Sequence, residues 1–193
     1  MFTNSARFYD AVYSFKDYEA ESRRLQALIE ERSPGAATLL DVACGTGKHL
    51  EQLRAWYEVS GLDLDPQLLE IAHERLGDVE LHEGDMTSFS LGRTFDVVTC
   101  LFSSIGYVGT VERLEGAVAA MAAHLEPGGV LIVEPWLTPE AWVAGRPHLL
   151  SVDEPDLKIA RMTLRISQSI LNRVSHVGDS HLRNHRAVNQ LNH

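Results

Sequence analysis

Five short apolar runs, at residues 38–43, 58–64, 79–83, 95–102 and 130–134, alternate with stretches of helical periodicity, and this alternation constrains the fold most. Strands joined by crossover helices pair in parallel, so the pattern predicts an α/β, Rossmann-like, mostly parallel sheet with helices on both faces. Helices are expected near 48–56, 66–76 and 111–125. In the last of these Leu114, Val118, Met121 and Leu125 recur at helical spacing until Pro127-Gly128-Gly129 stops them. An amphipathic helix over 17–32, with Tyr18, Leu25, Leu28 and Ile29 near one face, precedes the first strand and ends at Ser33-Pro34-Gly35. A sheet of this kind binds ligands beyond the carboxyl ends of its strands, so the residues following each strand carry the functional search.

A length of 193 residues with 45% hydrophobic side chains suits one domain. The divisions expected within it are an N-terminal helical cap over 1–35, a cofactor-binding core over 36–145, a strand region over 146–174 and a disordered tail over 175–193. The net charge of −10 argues against nucleic acid and anionic membranes as partners, because phosphates are gripped by clustered Lys and Arg. Cys44 and Cys100 have no metal-ligand spacing and are too few for a disulfide scaffold, so a reduced, cytoplasmic setting is expected with no metal. The N-terminal Met1-Phe2-Thr3-Asn4 does not begin a signal peptide, and no apolar run approaches the ~18 residues of a membrane span.

The first strand runs into Asp41-Val42-Ala43-Cys44-Gly45-Thr46-Gly47, where glycines allow a tight turn and close approach of a ligand to the backbone, ahead of a helix N-terminus. A phosphate-binding P-loop would need Gly at Val42 and Ser or Thr at His49; a dinucleotide fingerprint would need Gly at Leu50. Both are weakened. Asp63 closes the second run at the distance from the glycine loop at which an acid reaches a ribose hydroxyl pair, while Asp65-Pro66 reads as an N-cap followed by Pro at N1. Gly84-Asp85-Met86 follows the third run, where a carboxylate can accept from an adenine amino group and Met86 can pack against the ring.

These residues resemble class I S-adenosylmethionine-dependent methyltransferases, whose fold is a seven-stranded sheet with its last strand antiparallel. Lys16-Asp17-Tyr18, Leu101-Phe102-Ser103-Ser104-Ile105-Gly106-Tyr107 and Val133-Glu134-Pro135-Trp136 look more specifically like the N-methyltransferases of nucleotide-linked amino sugars in antibiotic biosynthesis, the desosamine and mycaminose enzymes among them. The resemblance covers roughly residues 6–145. It implies S-adenosyl-L-methionine as cofactor, held by Tyr13, Ala43, Cys44, Gly45, Gly47, Asp63, Leu64, Asp85, Met86 and Phe102, and a TDP-linked amino sugar as small-molecule substrate. Ser103, Ser104, Tyr107 and Trp136 are the residues expected to meet that substrate, and Glu134 the one to bind its amine and assist deprotonation, a cap for the neighbouring helix or loop being an equally good reading of that residue.

Aromatic faces at Tyr9, Tyr13 and Phe102 are expected to attract the sulfonium, and Lys16, Arg23 and Arg161 to supply the basic patch an anionic diphosphate needs. Taken singly, each ring is as well read as packing and each serine as a local turn. His124 reads as a dipole contact or solvated residue near a helix end. Other readings stay open: methylation of another small amine or hydroxyl, or a cofactor-binding protein without activity.

Relatives of this kind usually continue further, with two more strands and a helix, whereas 175–193 is polar with almost no apolar periodicity. The sheet is therefore expected to lack or alter its last strands, leaving an edge that favours self-association as a homodimer. A strand over 159–171 is expected to cover part of that edge, its polar face carrying Ile159, Arg161 and Thr163 and its apolar face Ala160, Met162 and Leu164.

Overall fold

A computed structural model of the chain describes residues 8–135, 147–154 and 157–164. Close contacts divide the chain into two units, one formed by 1–108 with 112–135 and the other by 109–111 with 136–193. In the first, a short helix α1 (Tyr9–Val12) and a longer α2 (Tyr18–Arg32) lead into β1 (Thr38–Val42). There follow α3 (Lys48–Leu53), β2 (Glu58–Asp63), α4 (Pro66–Leu76), β3 (Glu80–Glu83), β4 (Phe95–Cys100), a 3-10 turn (Ser104–Val108), α5 (Val111–Ala123) and β5 (Leu125–Val133). The five strands form one parallel sheet in the order β3-β2-β1-β4-β5. The chain winds outward from β1 through β2 to β3 and then returns to the other side of β1, so the topological switch lies between β1 and β4.

Successive strand side chains point to opposite faces, and the core divides accordingly. Leu39, Val59 and Val97 join Ile29 of α2, Leu50 and Leu53 of α3, and Ala72 and Leu76 of α4. Leu40, Val42, Leu62 and Val98 turn the other way and pack with Phe95, Ala117 and Met121, the last two from α5. Burial on both faces explains why β1 and β4 read as continuous apolar runs. At the amino ends, Asp96 Oδ2 accepts from the Ala37 and Thr38 amides and the Thr38 hydroxyl, each at 2.9 Å, locking β4 to β1.

The helix signals resolve into specific caps. Asp17 begins α2 by accepting from Ala20 N at 2.9 Å, and Asp65 begins α4 by accepting from Gln67 N at 3.0 Å, with Pro66 in the first turn. On α2, Ile29 is buried and Leu25 packs on the core, while Leu28 is exposed and leaves the expected apolar face.

Three further expectations are corrected. First, α5 ends at Ala123, and β5 begins at Leu125, before Pro127-Gly128-Gly129, because Leu125 pairs with Phe95; the register then shifts before Val130 pairs with Val97. Second, His124 is neither solvated nor a simple dipole partner. It is buried and stacked on Phe89 at 4.3 Å, and its Nε2 accepts from the Leu91 amide at 2.9 Å while Nδ1 lies 2.7 Å from Ala120 O.

The third correction concerns the other unit. Residues β6 (Pro147–Glu154) and β7 (Leu157–Leu164) form an antiparallel two-stranded sheet of their own, so the strand expected to cover the parallel sheet's edge finds its partner in β6. Opposed residues share a face, which places Ile159 with Val152 and Arg161 with Leu150. Ile159, Leu150, Val152 and Leu157 are half-buried while Ala160 is exposed, so Ile159 and Ala160 depart from the faces expected from β7 alone, whereas Arg161 is exposed as expected. The tail expected over 175–193 lies outside the described residues. Among the described residues no helix is long and apolar enough to cross a membrane.

Candidate functional site

At the switch point the chain bends sharply twice, once after β1 and once after β4. Ala43, Phe102 and Ser103 are the non-glycine residues with positive φ among the described ones, at 60°, 54° and 58°. Such conformations cost free energy and concentrate at functional sites. Gly45 and Gly47 share the left-handed region at 58° and 75°. A Cβ at Gly47 would lie 2.7 Å from Leu76 Cδ1, so glycine lets the loop seat against α4. A Cβ at Gly45 would meet nothing, which leaves that side of the loop open to a ligand. Tyr9, Tyr18, Asp41, Ala43, Cys44, Thr46, Lys48, His49, Leu101, Phe102 and Ser104 line the cleft between the two bends, a space of about 330 Å³ including its open mouth.

The carboxylates around this cleft are held firmly. Asp63, 8% exposed, accepts from Gly45 N through Oδ2 at 2.8 Å and from Asp65 N through Oδ1 at 2.9 Å. Burial raises its pKa and these amide hydrogen bonds oppose the rise. Asp41 is buried and accepts from Thr99 Oγ1 at 2.7 Å; burial pushes its carboxyl up to about 7. Asp85 accepts from Thr87 N at 2.9 Å and Thr87 Oγ1 at 2.8 Å through one oxygen, and from Arg113 at 2.9 Å through the other. The Thr87 amide, supported by the Thr87 hydroxyl and Arg113, holds its carboxyl below the usual range. Burial raises the thiol of Cys44 and pushes that of Cys100 to about 12, so neither is a ready nucleophile.

Of the remaining expected cofactor residues, Met86 packs against the apolar cluster beneath α5 and Leu64 stands 64% exposed just past β2. Tyr13 meets Phe102 edge-on at 4.9 Å and Tyr9 at 4.7 Å. The Phe102 ring does not offer its face simply to an incoming cation. Lys16 Nζ sits 3.8 Å from the ring centroid, on a side chain 7% exposed and ion-paired to Glu21 at 2.8 Å. Lys16 is therefore committed internally, and Arg23 pairs with Glu19 on the surface of α2; the basic patch expected of these two is not formed. Arg161 belongs to β7, in the other unit.

On the side expected to face substrate, Ser103 Oγ donates to Pro135 O at 3.1 Å, Ser104 opens the 3-10 turn, and Tyr107 is exposed. Glu134 follows β5. Its amide donates to Cys100 O at 2.9 Å, and its carboxylate accepts from Phe102 N at 2.7 Å, so it anchors the strained turn after β4. Trp136 lies outside the described residues.

Five residues assigned no role from sequence, Asp10, Lys48, Arg75, His49 and Glu21, also build the site. Asp10 of α1 accepts from Thr46 Oγ1 at 2.6 Å, pairs with Arg75 of α4, and lies 3.9 Å from Lys48 Nζ. Arg75 donates as well to Thr46 O. His49 lines the cleft, where its Nε2 lies 3.0 Å from the Glu21 carboxylate that also holds Lys16, and burial lowers its pKa against the pull of Glu21. These partners lie far apart in the chain, and only the acidic-basic residue types themselves offered a signal.

The buried acids Asp41 and Asp63 beside an open glycine turn suit a cationic, ribose-bearing cofactor; the residues fit S-adenosylmethionine. The methyltransferase domain family matches residues 39–129 of the chain. The dTDP-3-amino-3,4,6-trideoxy-alpha-D-glucopyranose N,N-dimethyltransferase of Streptomyces venezuelae is 49% identical over 143 residues, covering 72% of this chain and 60% of its own length. Among solved structures, Streptomyces venezuelae DesVI superposes with a TM-score of 0.80 at 43% identity, over 86% of this chain and 72% of its own. CalS10, an amino pentose methyltransferase from Micromonospora echinaspora involved in calicheamicin biosynthesis and solved with S-adenosylmethionine bound, gives 0.77 at 44% identity, over 83% and 70%. The chain spans 60%, 56% and 57% of the first three curated relatives it matches. With the parallel sheet, the glycine turn and the strand-end acids in place, the chain belongs to the S-adenosylmethionine-dependent methyltransferase family.

Proposed function

We propose that this protein transfers a methyl group from S-adenosylmethionine to the amine of a TDP-linked amino sugar. The observation that carries the reading is the convergence of Asp63, the Gly45–Gly47 turn and the Glu134-anchored Phe102-Ser103 turn at one switch point, in a chain 49% identical to an amino-sugar N,N-dimethyltransferase. When bound, the cofactor supplies an electrophilic methyl on a sulfonium. Asp63 would take the ribose hydroxyls, the backbone around Ala43, Cys44, Gly45 and Gly47 would accept close approach, and Asp85 with Met86 would hold the adenine. Asp41 is buried beside the loop, where burial favours its neutral form and raises its pKa to about 7.

An alkylammonium is mostly protonated at neutral pH, so the amine must lose a proton before its nitrogen lone pair can attack. Glu134 is the carboxylate at the strand end to receive it. Ser104 and Tyr107 supply hydroxyls for orienting a sugar, and Lys48 is the cation on the cleft wall. Two free, buried thiols fit a reducing, cytoplasmic setting. Self-association as a homodimer would use the outer strand β5, which is paired on one side among the described residues. The direct test incubates the protein with S-adenosylmethionine and a panel of TDP-linked amino sugars and reads added methyl groups by mass spectrometry. Binding of S-adenosylhomocysteine with no methylated sugar would refute the substrate assignment.

This reading also assigns α1 a task. No residue of the short helix is buried, and Asp10 ties it to Thr46, Arg75 and Lys48 while its Tyr9 lines the cleft. Replacing Asp10 by Ala should quicken release of S-adenosylhomocysteine about tenfold, the scale of one lost charge-assisted hydrogen bond. Stopped-flow displacement measures this, and an unaltered release rate would show that α1 does not restrain the ligand.

A further inference from the structure

The turn that carries Asp85 is contacted from across the sheet surface by α5, and the approach is unusually close. A Cβ on Gly116 would lie 3.1 Å from Thr87 O, so glycine at this position lets the helix reach the 85–87 turn. Arg113, one helical turn before Gly116, shares that face. Its guanidinium donates to Asp85 Oδ2 at 2.9 Å and, through Nε, to Val108 O at 3.1 Å, where the 3-10 turn after β4 ends. Thr87 already holds Asp85 Oδ1 through its amide and hydroxyl. With Oδ1 occupied by both Thr87 donors and Oδ2 held by Arg113, the carboxylate cannot rotate freely, and Oδ2 keeps one further lone pair for another donor.

We propose that Arg113 is a positioning residue for base recognition: it fixes the orientation of Asp85 so that the carboxylate selects a purine bearing an amino group, and it ties that acceptor to the turn on the substrate side. The proposal rests on the reading of Asp85 as the adenine partner. Half of the Arg113 side chain is exposed and a third of that of Asp85, so the ion pair itself adds little to stability. Its effect should appear in selectivity. An amino group donates to a carboxylate, whereas a carbonyl at the same position on the base repels it and leaves the acceptor unpaired.

The experiment measures, by calorimetry on the full chain, the affinities for S-adenosylhomocysteine and for S-inosylhomocysteine, in which an oxo group replaces the amino group. The parent protein should prefer the adenine ligand by about 10- to 100-fold, the range expected when a hydrogen bond to a charged group is lost. Arg113→Met keeps the aliphatic stem and removes the donors; it should bring the two affinities close together, with Arg113→Lys retaining part of the preference. Asp85→Asn, which offers both a donor and an acceptor, should abolish or invert it. If Asp85→Asn loses the preference and Arg113→Met keeps it, the role assigned to Arg113 is overturned while the adenine reading stands. Equal weakening of both ligands by Arg113→Met, with their ratio intact, would also overturn it by showing a structural role. A preference that survives Asp85→Asn would overturn the adenine reading and the proposal together. Should the Met variant fail to fold, the ratio measured on Arg113→Lys decides: a parent-like ratio counts against the proposal and a reduced one supports it.

Discussion

Replacing Glu134 by Gln should lower kcat for amine methylation by about 10²- to 10⁴-fold, the usual contribution of a positioned general base. Its affinity for S-adenosylhomocysteine should stay close to that of the parent. The separation follows from two tasks, the turn anchor seen in the structure and the proton acceptance proposed above. As a turn anchor, Glu134 accepts from Phe102 N at 2.7 Å, and a Gln carbonyl oxygen can accept the same hydrogen bond. As a proton acceptor it needs the carboxylate charge, which Gln lacks. The Ala variant should differ by losing the anchor of a turn already strained at Phe102 and Ser103, and so should weaken cofactor binding as well as slow the reaction. Steady-state kinetics beside calorimetry would distinguish them. A Gln variant with parental kcat would leave Glu134 as an anchor alone.

Asp63→Ala should weaken S-adenosylhomocysteine binding by about 1.5–3 kcal/mol, or roughly 10- to 150-fold, on the scale of hydrogen bonds to a charged group. A drop in thermal stability should accompany it, because the buried carboxylate satisfies two backbone donors, Gly45 N and Asp65 N. Asp63→Asn should not rescue either effect fully. The amide has one acceptor oxygen, so whichever way it faces, its NH2 group meets one of the two backbone N–H groups donor to donor. Calorimetry and thermal unfolding on the same samples would separate the contributions, and a folded Ala variant with parental affinity would remove Asp63 from the ribose site.

Local pattern was enough to locate β1 to β4, α4 and the acids at the strand ends, because the periodicity of a two-face-buried strand and the chemistry of caps both act within a few residues. Asp65-Pro66 illustrates this: a side chain accepting from an amide two residues on needs no tertiary partner. The start of β5 was not legible in this way. Pro127-Gly128-Gly129 lies within β5 instead of ending α5, which stops at Ala123 as Leu125 pairs with Phe95, thirty residues earlier in the chain. Similarly, alternation put Ile159 on a polar face with Arg161, but Ile159, paired with Val152 of β6, is half-buried while Arg161 stays exposed.

The site divides along the same line. From sequence, the glycine turn and Asp63 could be paired because strand-turn-helix geometry places an acid at the next strand's end at a known distance. What Lys16, Asp10, His49 and Arg113 do could not be read, since each depends on a partner brought close by folding: Thr46 for Asp10, Glu21 for His49, the Phe102 ring for Lys16, and Asp85 for Arg113. A charge in a sequence has a sign but no address, and the Coulomb and hydrogen-bond terms that give it a role fall off over a few ångströms. Sequence therefore determined the layered α/β frame and the cofactor loop. Tertiary structure alone decided which cations were already spoken for, and that the Glu134 carboxylate anchors the turn after β4 through Phe102 N.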